Sequence, residues 1–241
     1  NVFNGSRTIT PDFFNLHIYN PASVGVPSDI EYAGIRIHDV SGPVNGSGLR
    51  WHNIHTGTGA FGWSNLDAVV DPFYAAGKTL LYMAVCTPNW CSSTTPNSGK
   101  YDNGTTFMAS NQPPSVAGKT EWAAFATALA TRYNGSTHGL IDTYEVWNEV
   151  NYTSYWTGTH AQYAELLRLF RNALRAVNAS IKVGAPTIQE PESTGSPWLT
   201  TFLAASDGAA GTGKDHMDYA FIHLSYHDGS QFTIELDWNA S

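Results

Sequence analysis

Apolar and polar positions alternate along this chain with two periods that take turns. Short runs with a two-residue repeat or a wholly apolar character are followed by stretches with a helical repeat. The first run is Phe13–Tyr19, where Leu16 and Ile18 alternate with polar neighbours. The second is Ala33–Val40, A-G-I-R-I-H-D-V. Residues Asn65–Ala76 then place Leu66, Val69, Val70 and Phe73 at i, i+3, i+4 and i+7, which predicts a helix stopped by Gly77. Thr79–Val85 is almost wholly apolar, as expected of a strand buried on both faces. Residues 87–118 are rich in Pro, Ser, Asn and Gly and predict a long loop, a feature that in a compact domain is usually functional.

A helix is expected from about Thr120 to Tyr133, a strand over Ile141–Trp147, and then the clearest helix in the chain. Its start carries a capping-box pattern, Thr159 with Gln162. Its buried stripe is Tyr163, Leu166, Leu167, Phe170, Leu174 and Val177. Ile181–Ala185, a helix over Pro197–Ala205 and a strand over Tyr219–Ser225 complete the pattern. Strand and helix alternating in this way predict an α/β fold with a parallel sheet in one domain spanning 1–241. Polar residues follow each strand, which suggests a (β/α)8 barrel more than an open sheet. No G-x-G-x-x-G or phosphate-loop pattern follows any strand, so a nucleotide-binding sheet loses support.

Composition narrows the function. The formal charge is −8, and only 13% of residues are charged. An acidic chain without a Lys/Arg cluster argues against nucleic acid and anionic membrane partners. No apolar run reaches the ~18–20 residues that a membrane span needs. Seven N-x-S/T sequons, at Asn4, Asn45, Asn103, Asn134, Asn151, Asn178 and Asn239, fit a secreted glycoprotein. Asn151, two residues after Glu149, is expected to be unglycosylated. The two cysteines, Cys86 and Cys91, have a spacing that fits a small disulfide loop, with free thiols as the alternative. No His/Asp/Glu grouping has metal-ligand spacing, and neither metal nor organic cofactor is expected.

The chemistry collects where strands end. The second strand ends in Arg36, His38 and Asp39, the third near Cys86, Asn89 and Trp90, the fourth in Trp147, Asn148 and Glu149, and the sixth in His223, Tyr226 and His227. In a (β/α)8 barrel the working residues gather at this end. Glu149 is the sharpest of them. A carboxylic acid walled by aromatics such as Trp147 or Trp156 is expected to hold its proton toward neutrality, which suits a general acid. The alternative is a helix-entry carboxylate serving the helix dipole. Arg36 reads either as a pocket residue or as a buried salt-bridge partner, and His223 as a contact residue or a core histidine. Trp90 and Trp156 read as sugar-stacking platforms or as core. His17, His52 and His55 read as structural or surface.

Y-E-V-W-N-E-V-N resembles the W-N-E signature of clan A glycoside hydrolases. The resemblance implies that Glu149 is the acid/base and that Asn148 binds the sugar's 2-hydroxyl. I-R-I-H-D, the stretch Trp63–Gly77 and F-I-H-L-S-Y-H point within that clan toward family 39, which includes β-xylosidases. That implies substrate contacts for Arg36, His38, His223 and Tyr226 or His227.

The second carboxylate of a retaining glycosidase is harder to place. Only 15 residues follow Tyr226. Glu235, in T-I-E-L-D-W-N, resembles a nucleophile segment. But only Asp228–Gln231 separate the sixth strand from Phe232, and a parallel crossover needs about a dozen residues. Asp228–Gly229 instead signals a tight hairpin. Three arrangements remain: a further segment between Gly229 and Phe232, which restores Glu235; a nucleophile and final strands carried elsewhere, on a second chain completing the barrel; or Glu235 on a hairpin without a catalytic part. The expectation is a barrel incomplete at its C-terminal end. The expected function is a retaining O-glycoside hydrolase of β-linked sugars, and the alternative is a carbohydrate-binding pseudoenzyme on the same barrel.

Overall fold

The structure is a computed structural model that describes residues 15–18, 26–38, 48–189 and 198–223. Among the described residues, six strands form one wholly parallel sheet: β1 (Asn15–Ile18), β2 (Gly34–Ile37), β5 (Thr79–Ala84), β6 (Thr143–Val146), β7 (Lys182–Gln189) and β8 (Tyr219–His223), side by side in that order. Each strand joins the sheet beside its predecessor, always on the same side. That is a singly wound order. A doubly wound nucleotide-binding sheet reverses direction at a switch point, and this one does not. A two-stranded hairpin, β3 (His55–Gly57) with β4 (Ala60–Phe61), and a one-turn helix α1 (Trp51–Ile54) lie between β2 and β5. Neither is signalled by the sequence pattern, because both are too short for a period to repeat.

The longer helices follow the expected stripes. Helix α2 (Ser64–Ala75) buries Leu66, Val69, Val70 and Phe73. It ends where predicted, with Gly77 at φ 72° and the Lys78 N–H bonded to the Phe73 carbonyl. Helix α3 (Val116–Arg132) starts four residues before the expected Thr120, because the Ser115 side chain accepts the Gly118 N–H and caps it there. Helix α4 (His160–Val177) carries the predicted capping box, and helix α5 (Trp198–Ala204) precedes β8. β7 runs four residues past the expected Ala185, to Gln189, where its residues pair with β8. The expected hairpin at Asp228–Gly229 lies outside the described residues.

Aromatic contacts join the helices to the sheet. The Trp122 ring of α3 stacks on Phe170 of α4 at 4.5 Å and donates Nε1–H to the Leu166 carbonyl at 3.0 Å. Tyr163 of α4 is fully buried, and its hydroxyl donates to the Val146 carbonyl at 2.5 Å. That bond ties the clearest helix to the end of β6. On the opposite face of the sheet, Gly184 makes room for the Phe221 ring, which a Cβ would strike. Leu16, Arg36, Leu81, Thr143 and Phe221 line a cavity of ≈ 410 Å³ there. The stretch 87–118 is not loose: Asn103 Oδ1 alone accepts the N–H groups of Thr105, Thr106 and Phe107.

Two buried thiols correct one expectation. No disulfide joins Cys86 and Cys91. Cys91 sits in a 3-10 turn packed on α3, where burial and then Glu121 push its thiol up to about 12. Cys86, at φ 76°, acts electrostatically on Tyr101 instead. The two sulfur groups therefore serve different surroundings.

The capping box supplies the first test. Thr159→Ala removes the side-chain acceptor of the Gln162 N–H and is expected to cost about 1 kcal/mol. Urea denaturation measures this as a lower midpoint at unchanged slope. An unchanged midpoint would mean that α4 is held by packing alone.

Candidate active site

The corner at the C-terminal end of β6 is built by a break in strand alternation. Along β6, Thr143 and Glu145 face the interior of the curve, while Tyr144 packs its ring against Phe170 of α4. Regular alternation would send Trp147 inward and Asn148 outward. Instead Trp147 adopts φ 68° and Glu149 φ 43°, a conformation that costs about 1–3 kcal/mol for such residues and persists only where neighbours impose it. The neighbours are visible. The Trp147 N–H bonds the Ala84 carbonyl of β5 at 2.9 Å, and the Val150 N–H bonds the Thr187 carbonyl of β7 at 3.1 Å. Asn151 closes a two-way amide pair with Gln189 at 3.0 and 3.2 Å. The Asn151 side chain, the sequon expected to be empty, is thus occupied in holding the turn. The turn carries Trp147 out among Trp122 and Trp156, at 6.3 and 5.0 Å, and brings Asn148 inward.

Asn148 there meets a charge pair. Arg36 of β2 donates Nε–H to Glu145 Oε2 at 2.6 Å and Nη2–H to Glu145 Oε1 at 2.7 Å. Nη2 also donates to Asn148 Oδ1 at 3.2 Å. Thr187 donates its hydroxyl to Glu145 Oε1. Burial lowers the Arg36 pKa, but the Glu145 charge and hydrogen bonds outweigh it and the net shift is upward. Arginine offers donors only, so His38 Nδ1, 3.1 Å from Arg36 Nη1, accepts. His38 is then the neutral Nε2–H tautomer, and that proton goes to the Tyr101 hydroxyl at 3.1 Å. Burial holds the Tyr101 phenol well above its ordinary pKa. Glu149 is half-buried beside this group and acts electrostatically on both Arg36 and Tyr101.

The structure therefore gathers Arg36, His38, Asn148 and Glu149 in one corner. It also settles several alternatives. Arg36 is a salt-bridge partner and reaches the corner through that bond. No helix begins at Glu149, since α4 starts at His160, so the helix-entry reading does not fit. Trp156 is 3% exposed, packed on Trp147 and Tyr163, and is core instead of a stacking platform. Trp90 is 41% exposed and stands in a separate cavity. His52 shares that cavity and is not merely surface. His223 ends β8, in register with Gln189. Tyr226 and Glu235 lie outside the described residues. Glu145, Thr187 and Tyr101 were missed from sequence. The signal for Glu145 was a carboxylate inside the apolar run T-Y-E-V, matched by an arginine inside G-I-R-I.

Solved structures share this fold. The chain is similar to a GH39 β-xylosidase from Caulobacter crescentus, with 22% identity and TM-score 0.52, over 80% of this chain and 39% of that one. It is similar to the GH39 enzyme from Xanthomonas axonopodis pv. citri, with 18% identity and TM-score 0.54, over 80% and 34%. The catalytic domain of GH30 xylanase C from Talaromyces cellulolyticus aligns at 13% identity and TM-score 0.55, over 88% and 52%. The chain thus spans about a third to a half of the length of these structures. At such identities the likeness is one of fold: a parallel α/β architecture found in glycoside hydrolases. No curated protein sequence matches the chain. A family profile matches residues 63–216, and the chain belongs to that family, the family of unknown function DUF5722.

The buried pair makes a direct prediction. Glu145→Ala strands Arg36 without its partner and is expected to cost about 3–5 kcal/mol, while Arg36→Met with Glu145→Leu together regains most of that loss. Guanidinium denaturation of the three variants checks it. A single-variant loss below about 1 kcal/mol would mean the pair does not close this face of the sheet.

Proposed function

We propose that this chain is the larger part of a (β/α)8-barrel retaining O-glycoside hydrolase, related to family 39, acting on a β-linked sugar. The observation that carries the reading is the Trp147–Glu149 turn, which sets a half-buried carboxyl beside an amide whose Oδ1 is already spent on Arg36. Asn148 is left with its N–H groups as donors to a sugar hydroxyl. The singly wound sheet and the fold likeness to GH39 and GH30 enzymes support the barrel, with the remaining strands lying beyond the six described.

In the first step Glu149 gives its proton to the glycosidic oxygen as the C–O bond to the leaving group breaks. A second carboxylate forms a bond to the anomeric carbon. In the second step Glu149 takes a proton from water, whose oxygen bonds the anomeric carbon and displaces the enzyme carboxylate. Such pairs stand about 5–5.5 Å apart. Glu235 is the proposed partner. Glu145 is not, because Arg36 and Thr187 already occupy its oxygens. The substrate is a carbohydrate, and the sequons support a secreted glycoprotein. Without a second carboxylate in reach of Glu149, the same corner is a carbohydrate-binding pseudoenzyme, the second reading.

Glu149→Gln is expected to abolish turnover of glycosides with poor leaving groups and to spare activated aryl glycosides, since only the former need a proton in the transition state. Steady-state rates on the two classes check this, and equal loss on both contradicts the acid role. A 2-fluoro aryl glycoside followed by peptide mass mapping is expected to label Glu235. Absence of any label together with retained sugar binding would favour the pseudoenzyme.

A further inference from the structure

A second cavity, of ≈ 360 Å³, is linked to the Glu149 corner through Arg50 and Tyr101 and falls within the size range of small-molecule sites (about 300–1,000 Å³). Arg50, His52, Asn53 and Thr56 form one wall, and Trp90 and Phe107 from the stretch 87–118 form the other. Tyr101 connects the cavity to that corner. Its hydroxyl receives the His38 proton on the Glu149 side, while the Arg50 guanidinium lies over its ring at 4.4 Å on the other.

The walls are firm. The Asn89 amide donates to the Thr106 carbonyl at 2.8 Å and accepts the Met108 N–H at 3.0 Å. The Trp90 ring is braced edge-on against His55 at 5.0 Å and 90°. The His52 ring lies flat on Phe107 at 3.5 Å and 9°. Two groups in the wall have no hydrogen-bond partner among the described residues: His52 Nδ1 and Asn53 Oδ1, both buried. A buried polar atom left so costs about 1–3 kcal/mol. Burial, and then Arg50, push the His52 pKa down to about 3, so its ring is neutral at ordinary pH. Arg50 itself is 1% exposed, its charge sealed over Tyr101.

The cavity therefore offers one exposed indole, two neutral hydrogen-bonding side chains in its wall and, among the described residues, no open charge. An uncharged polyhydroxylated ring matches that set: its C–H face lies on the indole and its hydroxyls reach Asn53 and His52. A uronic acid does not, because its carboxylate would find no exposed cation. We propose that this cavity is a subsite for a neutral sugar residue of a chain whose scissile unit lies at Glu149, the two being connected through Tyr101. The inference rests on the carbohydrate reading of that corner.

The test is calorimetric titration of the full chain with neutral β-linked xylo- and cello-oligosaccharides of two and six residues, and with hexagalacturonate. Wild type is expected to bind a neutral hexamer more tightly than its dimer. Trp90→Ala is expected to lower that hexamer-to-dimer ratio about tenfold, the loss of one aromatic anchor. Asn53→Leu, which keeps the volume and removes the acceptor, is expected to lower it in the same direction and serves if Trp90→Ala fails to fold. A ratio unchanged in both variants, or tighter binding of hexagalacturonate than of the neutral hexamers, overturns the subsite alone. If wild type binds none of these chains and cleaves no aryl glycoside, the subsite falls together with the reading of Glu149.

Discussion

Two opposite charges sealed inside the curve of a parallel sheet set the terms for everything at its carboxyl end. Arg36 enters from β2 and Glu145 from β6, and β5 runs between these strands. Their bidentate bond therefore crosses a neighbouring strand and braces the sheet from inside. A buried pair of this kind contributes little net stability relative to apolar packing of the same volume, yet losing one member is costly. Its value lies in position. The same guanidinium reaches Asn148 through Nη2 and His38 through Nη1, so the pair fixes the amide orientation of one and the tautomer of the other.

The second constraint is the turn that follows. Left-handed backbone at Trp147 and Glu149 is held by bonds to the strands on both sides, Ala84 on β5 and Thr187 on β7. The buried Trp147 ring adds a donor bond to the Tyr155 carbonyl at 2.6 Å. Backbone strain at this place exchanges the faces of two neighbouring side chains. The indole goes to the helices and the amide to the interior, and Glu149 stands at the rim. From below, the Tyr163 hydroxyl of α4 holds the strand end through Val146. Thus the helix whose stripe and cap were plain in the sequence supports the candidate corner two residues away.

What the sequence made legible follows from what repeats. The stripe of α4, the apolar run of β5 and the Gly77 stop all rest on local period or local backbone need, and each stands close to where it was expected. α1 and the β3–β4 hairpin are too short to show a period. Ser115 moved the start of α3 because a side-chain cap competes with apolar pattern. Asn148 and Glu149 were visible because two polar residues close an apolar strand. Glu145 was not, because its role depends on an arginine 109 positions away. The cysteine spacing suggested a bond that spacing alone cannot supply, since the two thiols face different neighbours. Trp90 and Trp156 looked alike in sequence, and only burial separated the exposed ring from the core one.

The central claim is that the Glu149 carboxyl is a proton donor facing a sugar. Azide rescue tests it most directly. Removing that carboxyl, as in Glu149→Ala, leaves a site that azide can enter once the second carboxylate has captured the sugar of an activated aryl β-glycoside. The account predicts faster turnover with azide and a glycosyl azide of retained, β configuration. An α-glycosyl azide would make Glu149 the nucleophile, and a variant as active as wild type without azide would remove Glu149 from the reaction altogether.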